Sequence, residues 1–396
     1  MRIIYQALSL AILALPGTSA GPNITPNCSD VTFNLSIVSQ NVIFASPPDP
    51  DNTTEIVEFT RTVWRGEVPA TNGTQTISDT FAIVGTFCLP PDHSQPPKGL
   101  QILLHGITYN KTMWAGGGFP EYDWHAFATA RGYATLALDR LGHGASPQRP
   151  DPLTVVQPQI QIDLVHAIIA AVRDPSSSSS SSSVPGADIG QPFSTVILVG
   201  HSFGSFLSAG LATQYPEDAD ALVLTGYSGQ PDFSRMAVAS WVSAGEWQPE
   251  RFGPDLARGY LTLSEAAERE AAFYFADGSD PAVAAADFAG EDTVTAGELG
   301  ALPGIAGPAV GYAGDVLVVT GVEDVIFCVP PLESCEAILR DTATGFPDAR
   351  SFDYYAPTNT GHDLTLHYSA AETADKVHDW LDSKISRVKA QSQADI

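Results

Sequence analysis

The stretch Val196-Ile197-Leu198-Val199-Gly200-His201-Ser202-Phe203-Gly204 constrains this chain more than any other. Four apolar residues, three of them β-branched, predict a short buried strand. The strand runs directly into Gly-x-Ser-x-Gly, and Ser205 to Ala212 is compatible with a helix. A serine on so sharp a strand-to-helix turn stands clear of the sheet. Glycine two positions before and after it lets neighbouring backbone approach closely. The free N–H groups of the helix start lie beside the serine, where an oxyanion could be held. Ser202 is therefore the candidate nucleophile.

The bulk properties bound what surrounds this turn. The 396 residues suffice for one large domain with an insertion, or for two. An apolar fraction of 44% supports a substantial core, and a formal charge of −26 argues against nucleic acid and anionic membrane surfaces as partners. Residues 1–20 read as a signal peptide: Arg2, a largely apolar run from Ile3 to Leu15, then small residues through Ala20. That run is too short for an ordinary membrane span, and no later stretch qualifies as one, so no stable membrane insertion is expected. Sequons at Asn23, Asn27, Asn34, Asn52, Asn72 and Asn110 are candidate glycosylation sites on an N-terminal surface. In an oxidising compartment the four cysteines are expected to pair. Of three connectivities, Cys28–Cys88 and Cys328–Cys335 are favoured, the second because it closes a short loop. The histidines show no ligand spacing, so no metal and no cofactor is expected.

Residues 21–98 are expected to form a β-rich arm, with strands at Val31–Val38, Ile56–Trp64 and Thr76–Cys88. From residue 99 strands alternate with helices, predicting a mostly parallel sheet covered on both faces. The strands are Leu100–Leu104, Tyr133–Leu138, Thr195–Val199, Ala221–Thr225 and Asp315–Thr320. The helices are Tyr122–Arg131, Pro158–Arg173, Phe203–Gln214 and Ala370–Lys389. Ser176–Ser183, eight consecutive serines, predicts a flexible surface loop. Residues 227–314 are far longer than a crossover requires and are expected to form a lid over the C-terminal strand ends. The core then falls in two parts, 99–226 and 315–396.

Three further motifs accompany the turn at Ser202. Leu103-Leu104-His105-Gly106-Ile107 ends the first parallel strand. Asp139-Arg140-Leu141-Gly142-His143-Gly144-Ala145-Ser146 follows the next. Gly321-Val322-Glu323-Asp324 and Thr360-Gly361-His362-Asp363 lie after later elements. Together, and in this order, they resemble the α/β-hydrolase family over roughly residues 99–389. The resemblance implies an α/β fold with a helical lid insertion and a Ser-Asp-His triad of Ser202, Asp324 and His362. Glu323 is the rival acid. It also implies an oxyanion hole of the Ile107 and Phe203 N–H groups, and architectural roles for His105 and His143. His367 is expected to face elsewhere, and His378 to lie on the surface. The signal, sequons and lid together resemble secreted fungal members. They imply a secreted serine hydrolase for a carboxylic ester or lactone of a fairly apolar small molecule. The lid residues Phe252, Leu256, Tyr260, Phe273 and Phe275 would line its pocket or pack on the sheet. One alternative is a biosynthetic hydrolase acting on an epoxide or lactone, with Tyr260 or Tyr274 activating the ring oxygen. The other is an inactive binding protein.

Overall fold

The structure, a computed structural model, describes residues 26–92, 94–174, 189, 191–305, 307–329 and 334–394. The expected signal peptide, Asn23 and the serine run lie outside the described residues.

The chain opens with a long antiparallel hairpin, β1 (Asn27–Phe44) and β2 (Thr71–Leu89), in register from Asn27 opposite Leu89 to Phe44 opposite Thr71. Along β1 the residues Val31, Phe33, Leu35 and Ile37 point inward, the period of two expected of a strand with one buried face. Cys28 and Cys88 face each other in that register and are bonded, and Cys328 is bonded to Cys335.

Between the two strands the expectation of a third, Ile56–Trp64, is overturned. Residues Thr53–Trp64 form helix α1. Asn52 caps it, its side chain accepting from the Thr54 N–H at 3.1 Å and the Glu55 N–H at 3.3 Å. Its buried residues Ile56, Val57, Thr60, Val63 and Trp64 repeat at helical spacing. The segment is rich in β-branched and aromatic residues. Intrinsic propensity is a weak preference, and the cap and the apolar stripe outweigh it.

The alternating region follows expectation: β3 (Leu100–Leu104), α2 (Trp124–Ala130), β4 (Ala134–Leu138), α3 (Pro158–Arg173), β5 (Val196–His201), α4 (Phe203–Gln214) and β6 (Ala221–Thr225). An insertion then carries α5 (Ser234–Val238), β7 (Trp241–Ser243), α6 (Ala244–Trp247), α7 (Pro249–Phe252), β8 (Tyr260–Leu263), α8 (Ala266–Phe273), α9 (Pro281–Gly290), β9 (Val294–Thr295) and α10 (Ala296–Ala301). It contains a three-stranded antiparallel sheet, β7–β8–β9, as well as the expected helices. The chain returns through β10 (Asp315–Val319), α11 (Cys335–Asp341), β11 (Ser351–Tyr355) and α12 (Ala370–Ala394).

The main sheet has the strand order β1-β2-β4-β3-β5-β6-β10-β11. All neighbours from β4 to β11 are parallel, and β2 alone runs against the rest, antiparallel to both β1 and β4. The central strands β3, β4, β5, β6 and β10 are buried throughout, as a sheet covered on both faces requires. The hairpin therefore extends the sheet, while α1 leaves it to pack against α5, α10 and β7 of the insertion.

The two disulfides close loops of very different length, with sequence separations of 60 and 7 residues. Loop-closure entropy assigns about 4 kcal/mol to the first and about 2 kcal/mol to the second. The Cys28→Ala/Cys88→Ala pair should lower the unfolding free energy in water more than Cys328→Ala/Cys335→Ala, and raise the m-value more, both read from urea titrations.

Candidate active site

Ser202 sits between β5 and α4 with φ 53° and ψ −115°, a conformation that L residues rarely adopt. The close approaches expected of the flanking glycines are present. A Cβ on Gly204 would lie 2.0 Å from the Leu104 carbonyl oxygen, and one on Gly200 would lie 2.5 Å from that of Gly204. The turn is held by the Ser202 N–H and the Ser205 hydroxyl, which both donate to the Thr225 carbonyl, at 2.9 and 2.8 Å.

His362 and Asp324 meet. The imidazole Nδ1 lies 2.8 Å from Asp324 Oδ2. The other carboxylate oxygen accepts the Ile326 and Phe327 N–H groups at 2.8 and 3.0 Å. Asp324 is fully buried, whereas Glu323 points to solvent. The imidazole stacks on Phe327 at 5.3 Å between ring centres, and Phe273 lies 5.4 Å away on another side. Phe273 in turn shares an apolar cavity with Ser202, Ile107 and Phe203. Gly226, with φ +54°, leaves room for the base: a Cβ there would lie 2.8 Å from His362 Cε1. Sequence reasoning passed over Gly226, although a glycine directly after β6 was its signal.

His105 and His143 sit in buried hydrogen-bond networks. His105 is buried, with Nδ1 donating to the Gly106 carbonyl and Nε2 accepting the Arg140 N–H. Burial, with Arg140 beside it, pushes its pKa well down, which favours the neutral form. His143 contacts Glu298 through Nε2 at 3.0 Å. Burial opposes charge on this pair. Even so, the Glu298 carboxylate raises the His143 pKa, and His143 and Arg140 hold Glu298 below the usual range. The Asp139 carboxylate caps the loop, accepting the Lys111 and Ala145 N–H groups, and a Cβ on Gly144 would collide with it.

One expectation about the histidines is corrected. His378 is not a surface residue; it is fully buried and bonds Gln101 at 3.0 Å and the Ala374 carbonyl at 2.7 Å. The amphipathic face of α12 turns it inward. His367 braces the His362 loop: its Nε2 accepts the Gly361 and Phe275 N–H groups at 3.0 Å, and its Nδ1 donates to the Asp363 carbonyl.

Sequence reasoning also missed Arg269 of α8, a buried cation flanked in the helix by Glu268 and Glu270. It donates to Thr108 Oγ1 at 2.6 Å and, as a fork, to Asp287 at 2.8 and 3.0 Å. Its guanidinium lies between the Tyr109 and Phe273 rings, 4.5 and 5.0 Å from their centres. Thr108 directly follows Ile107 and has φ 56°, so the loop beside the cavity is strained. Its backbone is held by the Thr293 carbonyl and the Asp292 N–H. The Tyr109 hydroxyl reaches on to Asp363, beside His362, at 2.7 Å. Burial pushes Glu291 up to about 7, and burial with Asp287 pushes Asp363 up to about 6. The insertion thereby grips both loops that flank the cavity.

Of the five insertion residues expected to line the pocket or pack on the sheet, Phe273 lines the cavity at Ser202, together with Phe233, Met236 and Leu302. Tyr260 and Tyr274 are buried and are not part of that wall; the Tyr260 hydroxyl donates to the Pro150 carbonyl at 2.8 Å. The cavity also receives Trp64 from α1.

A model of the alpha/beta hydrolase family matches residues 101–376. The chain belongs to the alpha/beta hydrolase family. The hydrolase is 25% identical over 172 residues to the "Probable lysophospholipase BODYGUARD 1" of Arabidopsis thaliana. That match covers 41% of this chain and 31% of the relative, so the hydrolase spans about a third of that relative's length. Among solved structures it is similar to E-2-(acetamidomethylene)succinate hydrolase, with 16% identity, a TM-score of 0.46, and coverage of 76% of this chain and 96% of the other. It is also similar to a thermophilic esterase from Thermogutta terrifontis, with 15% identity, a TM-score of 0.46, and coverage of 79% and 96%. Among the described residues no cluster of His, Cys, Asp or Glu is arranged to hold a metal ion, and no helix is long and apolar enough to cross a membrane.

Arg269 neutralises buried carboxylates, so its removal leaves them unpaired. Arg269→Met should destabilise the fold by about 3–5 kcal/mol, read as a fall in the urea midpoint.

Proposed function

We propose that this hydrolase is a secreted serine esterase that cleaves a carboxylic ester or lactone of a fairly apolar small molecule. One observation carries the reading: His362 is bonded to buried Asp324 and packs against Phe273, which shares an apolar cavity with the strained Ser202. A hydroxyl is a weak nucleophile without a base, and the base needs an orienting acid. Here the acid's second oxygen is fixed by two backbone N–H groups, which keeps the Nδ1 proton on the imidazole and leaves Nε2 to act.

In the proposed reaction His362 Nε2 takes the Ser202 proton as Oγ bonds to the carbonyl carbon. The oxyanion accepts hydrogen bonds from the Phe203 and Ile107 N–H groups. The C–O bond to the leaving alcohol breaks, and His362 returns the proton to that oxygen. Water, deprotonated by His362, bonds to the acyl carbon; the C–Oγ bond breaks, His362 returns the proton to Ser202 Oγ, and the acid leaves. Each oxyanion donor is worth about 2.7–4 kcal/mol in the transition state. The 227–314 insertion acts as the substrate-facing lid. Arg269 binds it to the loop at Ile107, so it is a fixed cover near that loop.

Secretion is supported by the two disulfides and by the expected signal at 1–20. The exposed sequons Asn27 and Asn72 are the best placed to carry glycan. The Asn110 amide is engaged with Asp292 at 3.2 Å, and Asn34 and Asn52 are half-buried. No observation favours ring opening by Tyr260 or Tyr274, since neither reaches the cavity wall.

A fluorophosphonate should label the wild type and not Ser202→Ala. On p-nitrophenyl esters Ser202→Ala and His362→Ala should each lose about 10⁶-fold in kcat, and Asp324→Asn about 10⁴-fold. Wild-type turnover retained by Ser202→Ala would end this reading. Gly226→Ala should displace the imidazole and lower kcat by about 10²-fold with little change in KM, measured by steady-state kinetics.

A further inference from the structure

Tyr109 stands two residues beyond Ile107 and reaches across to the loop that carries His362. It follows the strained Thr108, whose N–H and carbonyl are held by Thr293 and Asp292 of the insertion. Its ring is buried beneath the Arg269 guanidinium and meets the edge of His201, the neighbour of Ser202, at 6.0 Å. Its hydroxyl lies 2.7 Å from Asp363 Oδ2 and 3.2 Å from Asp287 Oδ2. A hydroxyl has one proton to give, and the shorter contact takes it. Asp287 already receives the Arg269 fork, while the fully buried Asp363 carboxylate has the Thr365 hydroxyl at 3.0 Å on its other oxygen. Burial pushes the pKa of Tyr109 well up, so the hydroxyl stays a donor.

Asp363 directly follows His362, and its backbone is anchored on both sides. Its N–H donates to the Phe273 carbonyl at 2.9 Å, and its carbonyl accepts from His367 Nδ1 at 2.7 Å. These anchors hold the His362 loop to α8 and to itself. The Tyr109 hydroxyl adds a tie of a different kind, from that loop to the one at Ile107. We propose that Tyr109 is a positioning residue: through Asp363, its hydroxyl sets the distance between the His362 imidazole and the Ile107 N–H. A general base and an oxyanion donor act on one carbonyl group at the same moment, so they must be in register with each other. A misplacement of about 1 Å between them lowers the rate of the chemical step rather than affinity. This rests on the ester-hydrolase reading of the same site.

Tyr109→Phe removes the hydroxyl and keeps the ring. On p-nitrophenyl butyrate its kcat should fall about tenfold, with KM within about twofold of wild type. Asp363→Ala should do the same, with Asp363→Leu in its place if that chain does not fold. Because Tyr109 acts through Asp363, the double variant should be no slower than the slower single variant, to within about twofold. A Tyr109→Phe kcat within about twofold of wild type overturns the proposal, as does an effect confined to KM or a double variant that loses the product of the two single effects. Hydrogen exchange of the 358–367 backbone reads the tether apart from turnover, and should be about tenfold faster in Tyr109→Phe. Unchanged exchange refutes the tether whatever the kinetics show. If wild type turns over no ester and binds no fluorophosphonate, the esterase reading fails, and the exchange rates alone decide whether Tyr109 holds the His362 loop.

Discussion

The contact on which the site depends most is the buried Arg269 fork. One guanidinium joins Asp287, Thr108, Tyr109 and Phe273, so a single helix of the insertion fixes the loop after β3. Thr108 is strained there, and strain persists only where the surroundings over-determine it. The Thr293 carbonyl and Asp292 N–H provide a second hold on the same residue. On the opposite side, Arg140 donates to the His105 and Gly106 carbonyls and meets Glu298, again from the insertion. Two buried arginines thus bracket a short loop whose backbone must be aimed well. Buried ion pairs add little net stability, but they discriminate strongly against misplacement of any partner.

The parts of this arrangement that were legible in the sequence are those written into local chemistry. A buried strand, Gly-x-Ser-x-Gly and a helix define a turn wherever they occur. Gly204 and Gly200 then prove indispensable because backbone lies within 2.0 and 2.5 Å of where a Cβ would be. Asp324 and His362 were expected from the family resemblance; the structure brings the two together and buries Asp324, while Glu323 is exposed. The parts that were not legible depend on partners distant in the chain. Helix α1 contains residues suited to a strand, and only its cap and its buried stripe against α5 and α10 decide otherwise. His378 becomes a core residue because Gln101 and Trp124 meet it from elements more than two hundred residues earlier. Arg269 carried no visible signal, because between Glu268 and Glu270 it reads as one more charge on a solvated helix face.

The fold and the chemistry also divide between different parts of the molecule. The parallel strands supply the turn that carries Ser202, and the loops after β10 and β11 bring Asp324 and His362. The wall of the cavity joins core residues Ile107, Phe203, Phe206 and Ile326 to residues of α1, α5, α8 and the segment after α10.

The position of α1 has a consequence in time as well as in space. Trp64 is made early, yet the residues that enclose it, from Phe233 to Ile326, emerge much later. Contacts so distant along the chain close slowly and cannot form while the ribosome still holds the later half. During synthesis the indole is an unsheltered aromatic surface on a young hairpin. The cavity is thus among the last parts of the molecule to exist. A chain that has already formed its hairpin and its first cross-link still lacks the cavity beside Ser202.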